Sequence, residues 1–276
     1  MPRRPFAKRG APRPFPRIVC GVDGGRGSRE AVDQAITLAR PDAALTFVCV
    51  RWEEGAGLVR QSTIGRERAE EALREAVRAA AAEGLDAASE LRSARGSSET
   101  LVDEASRADL LVLGSHGGSR AGGIMIGSTA ANAVHRADVP VLVARRPPDA
   151  VPFPERILVA TDGSPDAQRA VELAGRIGHR FRARVYLLSV DPAPHGRPAE
   201  TSVDAAELTA ALGGEPVVLR QSGEAHERIL ETAANESVSL IVLGSRGTTG
   251  LHALGSVSER VTARANCSVL VARGGG

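Results

Sequence analysis

The chain repeats itself. Ile18–Gly25 reads IVCGVDGG and Ile157–Ser164 reads ILVATDGS; Leu111–Gly117, LVLGSHG, returns as Ile241–Gly247, IVLGSRG; and VLVAR stands at both Val141–Arg145 and Val269–Arg273. Three matched segments in the same order mean that one supersecondary unit occurs twice, so any fold proposed for one half must also suit the other. At 276 residues, two modest units can each hold a core. We divide the chain into an arm over 1–16, a first unit over 17–145, a linker over 146–155 and a second unit over 156–273. The arm combines five prolines with five basic residues and is expected to be disordered. The stretch Arg145–Glu155, RRPPDAVPFPE, holds four prolines and is expected to be extended.

Each copy alternates strand and helix patterns. In the first, strands are predicted at Ile18–Val22, Leu45–Val50, Leu85–Arg92, Leu110–Leu113 and Val141–Ala144, with helices over Ser28–Arg40, Arg66–Glu83, Ser98–Arg107 and from Ser128. In the second, strands are predicted at Ile157–Ala160, Arg184–Val190, Pro216–Leu219, Leu240–Leu243 and Val269–Ala272. The helices there begin at Pro165, behind a Ser164 cap, and cover Ser202–Leu212, Glu224–Asn235 and Ser256–Arg264. Alternation of this kind specifies a parallel sheet with helices on both faces, and ligands at the carboxyl ends of its strands.

Between the fourth strand and the last helix of the first copy runs LLVLGSHGGSRAGGIMIGS, Leu110–Ser128. Its glycines follow the pattern G-x2-G-x9-G-S: Gly114, Gly117, Gly127, then Ser128. Glycine permits positive φ and a close ligand approach, so such a loop can aim several N–H groups at one anion. Ser128 stands where an N-cap is expected, and the positive end of its helix adds to the anion site. These residues point to a phosphate compound, a nucleotide in particular. In the second copy seven residues, Thr248–Leu254, replace the nine between Gly117 and Gly127, which shortens the arch over the phosphates. Ser256 with Glu259 reads as a capping box, a structural use of the same serine.

Composition excludes several chemistries. Lys8 is the only lysine, so neither a Walker A loop nor a Schiff-base lysine is available. Residues 1–17 hold six basic residues and no acid; removing those six charges from a net of +2 leaves −4 on the other 259 residues, so the folded part is not a nucleic-acid binder by overall charge, and contact of the basic arm with nucleic acid or a membrane is not expected. The cysteines Cys20, Cys49 and Cys267 form no CxxC and sit in apolar runs, as buried thiols of a reducing compartment do. The six histidines show no metal-ligand spacing, and there is no G-x-S-x-G elbow. The sequence has no apolar run of 18 residues and no apolar leader region, so no membrane span, no secretion signal and a cytoplasmic location are expected.

The ordered set resembles a tandem member of the universal stress protein family across Arg17–Arg273: V-D-G or T-D-G after the first strand and the terminal VLVAR strand, each present twice, and the glycine loop, as G-x2-G-x9-G-S in the first copy and with seven residues in place of nine in the second. The resemblance implies an α/β protein of two tandem Rossmann-like units, of the adenine nucleotide alpha hydrolase-like type, each a five-stranded mostly parallel sheet flanked by helices. It implies an ATP site in which Asp23 lies at the adenine–ribose end and the backbone of Val50 meets the adenine. Gly114, Gly117, Gly127, Ser128 and Thr129 then hold the phosphates, with His116 nearby. The matching positions in the second half are Asp162, Val190, Gly244, Gly247, Gly255, Ser256 and Val257, with Arg246 in place of His116. ATP is the implied ligand, with ADP or AMP as alternatives and Mg2+ held through the phosphates. The resemblance also implies pairing of the two halves through strands 141–144 and 269–272, so that the tandem imitates a homodimer; a homodimer of the whole chain and an unidentified protein partner stay open.

The leading reading is a nucleotide-responsive regulatory protein of the stress response. Two others stay open: a slow ATPase, for which Asp23, Ser128 and His116 are the only groups at hand, and a nucleotide-free interaction module with a vestigial glycine loop. Asp23 and Asp162 can also serve simply as turn and helix caps.

Overall fold

The computed structural model describes residues 14–40, 43–52, 65–94, 96–115, 126–146, 151–191, 215–247 and 254–274. The first half runs β1 (Arg17–Gly21), α1 (Arg26–Ala39), β2 (Ala44–Trp52), α2 (Arg66–Ala82), β3 (Ala87–Ala94), α3 (Ser97–Ala105), β4 (Leu110–Gly114), α4 (Ser128–Arg136) and β5 (Val141–Ala144). The second runs β6 (Arg156–Thr161), α5 (Pro165–Phe181), β7 (Arg184–Asp191), β8 (Val217–Ser222), α6 (Ala225–Asn235), β9 (Leu240–Gly244), α7 (Ser256–Arg264) and β10 (Ser268–Ala272). The helix expected over Ser202–Leu212 lies outside the described residues.

The ten strands of the described residues form one sheet, in the order β3-β2-β1-β4-β5-β10-β9-β6-β7-β8. Every neighbouring pair is parallel except β5 and β10, which run antiparallel with Val141 opposite Val271, Leu142 opposite Leu270 and Val143 opposite Val269. Leu142 and Leu270 hold the same place in their two VLVAR segments and face each other, so a pseudo-twofold axis passes between them. Strands buried on both faces show no polar alternation. Thus Ile18, Leu110, Leu142, Leu270 and Leu240 face α1, α2 and α5, while Val19, Leu111, Val143, Val269 and Ile241 face α3, α4, α6 and α7. Each of these two apolar layers contains residues from both halves, and the core is therefore continuous across the junction.

Two arginines cross the junction. Arg145, just past β5, donates through Nη2 to the Thr262 carbonyl in the last turn of α7 at 2.6 Å. Arg273, just past β10, donates to the carbonyls of Val134 and His135 in the last turn of α4. A cation at a helix C-terminus satisfies orphan carbonyls and opposes the helix dipole. Burial pulls the Arg145 guanidinium down to about 10, and its Nε and Nη1 have no hydrogen-bond partner among the described residues. The crossing is not fully symmetric. Gln34 and Ser268 add a buried polar link to the Arg145 main chain, with Ser268 Oγ 2.8 Å from Gln34 Oε1 and Gln34 Nε2 donating to the Arg145 carbonyl at 2.9 Å.

Phe15, which the sequence reading assigned to the arm, is 2% exposed and packs into the core, while the Pro16 carbonyl accepts from Ala44 N at 2.9 Å. An aromatic side chain beside an apolar strand gains more from burial than a short prolyl segment loses in ordering, so packing begins before Arg17. Residues 1–13 of the arm lie outside the described residues.

The three cysteines are free and buried. Burial pushes the Cys20 thiol far up; burial, together with the charge of Asp23, lifts Cys49 to about 11; and burial lifts Cys267 to about 12 despite the nearby Arg145. In an unfolded chain such thiols ionise near about pH 8.5. The unfolded state then binds fewer protons than the native one, and stability falls as pH rises above that point. Denaturant unfolding followed from pH 8 to 10 should lose up to about 1.4 kcal/mol per pH unit for each thiol, and Cys49→Ala should flatten the slope. A stability independent of pH over that window would contradict the assignment.

Candidate functional site

The carboxyl ends of the strands carry the predicted residues, and the first turn of each half is built alike. Asp23 follows β1 and accepts from Gly25 N through Oδ1 at 2.8 Å, around Gly24 at φ +72°. Asp162 follows β6 and accepts from Ser164 N at 3.0 Å, around Gly163 at φ +75°. One oxygen of each carboxylate therefore shapes the turn, as the structural reading of these residues expected. Ser164 caps α5 by accepting from Ala167 N at 3.2 Å, with Pro165 at the first helical position.

The glycine loops are pinned at both ends. At Gly114 an added Cβ would lie 2.4 Å from the carbonyl carbon and oxygen of Gly27; at Gly244 it would lie 2.7 Å from the carbonyl carbon of Asp166 and 2.8 Å from Ala167 N. Only glycine lets β4 and β9 end so close to the starts of α1 and α5. Gly127 N donates to the Ser115 carbonyl at 2.6 Å, and Gly255 N to the Ser245 carbonyl at 2.7 Å. The loops thus close on the same bond in both halves, although one is two residues shorter. The difference falls within segments outside the described residues, 116–125 and 248–253, which also take in His116 and Gly117 of the predicted site.

Two details differ from the sequence reading. Ser128 and Ser256 are the first helical residues rather than N-caps: Gly127 and Gly255 hold the cap positions in extended conformation, and no side chain caps either helix. The capping box predicted for Ser256 and Glu259 is accordingly absent, because a box needs its serine one position earlier. Glu259 instead places Oε1 3.8 Å from His135 Nε2, across the junction. Without a side-chain cap, the first-turn N–H groups and the positive helix end remain directed at the loop.

In the second half these pieces enclose a cleft of about 220 Å³. Asp162, Val190, Gly244, Gly247, Gly255, Ser256 and Val257 all line it. Leu188, Ile229 and Leu243 supply an apolar wall beside Val190, and Arg246 lines the polar side. In the first half Asp23, Val50, Gly114, Gly127, Ser128 and Thr129 occupy the matching places at the ends of β1, β2 and β4 and the start of α4. Arg246, which stands where the first copy has His116, is thus within reach of a ligand in the cleft. Two further residues were missed: Ser258, whose Oγ donates to the Gly244 carbonyl at 2.7 Å, and Asp166, a buried carboxylate beneath the loop. The signal for Asp166 was present as a mismatch, an acid where the first copy has Gly27.

The universal stress protein family model matches residues 14–145 and again 154–273. The chain belongs to the universal stress protein family. It is a tandem member, with one match in each half of the ten-stranded sheet. A universal stress protein of Mycolicibacterium smegmatis is 29% identical, over 93% of this chain and 96% of its own length. A universal stress protein of Methanocaldococcus jannaschii is 33% identical over 43% of this chain and 82% of the relative. Among solved structures, a universal stress protein from Archaeoglobus fulgidus superposes with a TM-score of 0.75 at 24% identity, covering 94% of this chain and 98% of that one. This universal stress protein thus shares its whole fold with that structure. No helix among the described residues is long and apolar enough to cross a membrane, and no group of three or more His, Cys, Asp or Glu side chains there could hold a metal ion.

Proposed function

We propose that this universal stress protein binds an adenine nucleotide in each half, as a cytoplasmic regulator whose two halves respond to occupancy. One observation carries the reading: the second-half cleft joins an apolar wall, a carboxylate at Asp162 and the uncapped start of α7 around a loop whose Gly244 leaves no room for a Cβ. The apolar side, with Val190, suits a base. The N–H groups of Ser256 and Val257, with the helix dipole behind them, suit phosphate. Asp162 suits a ribose hydroxyl, and Arg246 suits a phosphate oxygen. The enclosed volume is below the roughly 300–1,000 Å³ of complete small-molecule pockets.

ATP is the proposed ligand, with ADP or AMP in its place, and Mg2+ held through the phosphates rather than by a protein cage. Occupancy would favour one arrangement of the halves in proportion to its differential affinity. The junction offers a route, since α4 and α7 begin at the two glycine loops and end against Arg273 and Arg145 of the opposite halves. Native mass spectrometry of the gently purified full chain should reveal up to two bound adenine nucleotides. Calorimetry with ATP, ADP and AMP should give saturable heats. No retained nucleotide, together with no heat and no thermal shift from any of the three, would leave the interaction module as the surviving reading.

A further inference from the structure

Asp166 sets the start of the second glycine loop apart from that of the first. Its backbone occupies the place that Gly27 holds in the first half, because the same glycine packs against each: Gly244 on Asp166 and Ala167, Gly114 on Gly27 and Ser28. The carboxylate is 6% exposed by residue and points up into the loop. Asp166 Oδ2 accepts from Ser245 Oγ at 2.6 Å, from Arg246 N at 3.0 Å and from Arg246 Nε at 3.4 Å, while Oδ1 pairs with Arg169. A main-chain donor of the glycine loop and the cation lining the cleft are therefore already turned toward an anion of the protein itself. Gly27 has no side chain with which to do this in the first half.

On the reading that the clefts bind adenine nucleotides, we infer that Asp166 is a specificity-determining residue that sets the second cleft for a nucleoside monophosphate, leaving the first for a longer phosphate chain. Asp166 withholds two donors, Arg246 N and Arg246 Nε, that would otherwise meet the added phosphate groups. The first phosphate still has the start of α7, where Ser256 and Val257 line the cleft.

Calorimetric titration of the full chain with AMP and with ATP tests this, alongside Asp166→Asn, which keeps an acceptor oxygen and removes the charge. The wild type should resolve two classes of site with opposite preference. In the variant, ATP affinity at one class should rise about tenfold or more while AMP affinity there changes less, since each charge-assisted bond released to a phosphate is worth that factor or more. Asp166→Gly, the residue found at this place in the first half, provides the same readout if the asparagine variant does not fold. An unchanged ratio of ATP to AMP affinity, with both nucleotides still bound, overturns the assignment and leaves the nucleotide reading intact. No binding of either nucleotide to any of the proteins overturns both.

Discussion

Leu270→Asp is expected to cost more than about 4 kcal/mol and to part the two halves, because it sets an unpaired carboxylate at the centre of the junction. Leu270 is fully buried opposite Leu142, within an apolar layer that both halves build. Strand β10 has β9 on one side and β5 on the other, so no nearby solvent can take up the charge. The wild-type chain should unfold in urea as one transition, since the core runs unbroken across the antiparallel pair. In the variant the transition should weaken and split, with a larger hydrodynamic radius before full unfolding. Val218→Asp is the control: Val218 lies on the edge strand β8, is 47% exposed and should change stability by no more than about 0.5 kcal/mol. A Leu270→Asp protein that melts with the wild type would mean that the halves are held by something other than this strand pair.

Gly244→Val should remove nucleotide binding from the second half and cost about 3 kcal/mol. Three backbone atoms of the α5 start, the carbonyl carbon and oxygen of Asp166 and the nitrogen of Ala167, would lie 2.7–2.9 Å from the new Cβ. Backbone at a capped helix start cannot retreat as a flexible side chain can, so β9 and α5 must move apart. That motion also pulls Ser245 and Arg246 from Asp166 and shifts the Ser245 carbonyl on which Gly255 closes the loop. One of two bound nucleotides should disappear in native mass spectrometry, while the first half keeps its own. Gly114→Val, with contacts of 2.4 Å to Gly27, should do the same to the first half. Two equivalents still bound to Gly244→Val would remove the glycine loop from the binding site.

Much of this architecture was legible in the chain itself. The duplicated IVCGVDGG and ILVATDGS segments, the unalternated LLVL and LIVL strands and the helical spacing of Ala69, Leu73, Ala76 and Ala80 are local patterns, and each follows from the period of the element that contains it. Helix caps were less legible. Ser128 and Ser256 have the composition of an N-cap, yet the bond from each preceding glycine to Ser115 or Ser245 starts the helix one residue early. That bond joins residues brought together by the sheet, and propensity alone does not contain it. Asp166 shows the same limit. In the sequence it is an ordinary acid in the first turn of a helix; its work under the loop depends on Arg246, 80 residues away.

By itself the sequence determined that this protein is two copies of one βα unit, which residues form its strands and helices, and where glycine must stand, because those properties depend on side-chain period and backbone freedom within short stretches. The family resemblance already implied that strands 141–144 and 269–272 pair; the tertiary structure decided their register, with Leu142 opposite Leu270, that Arg145 and Arg273 each grip the opposite half, and that the Asp166 carboxylate holds Ser245 and Arg246 at the start of the second loop. Contacts between distant residues depend on how the elements pack, and packing is a property of the assembled core rather than of any segment.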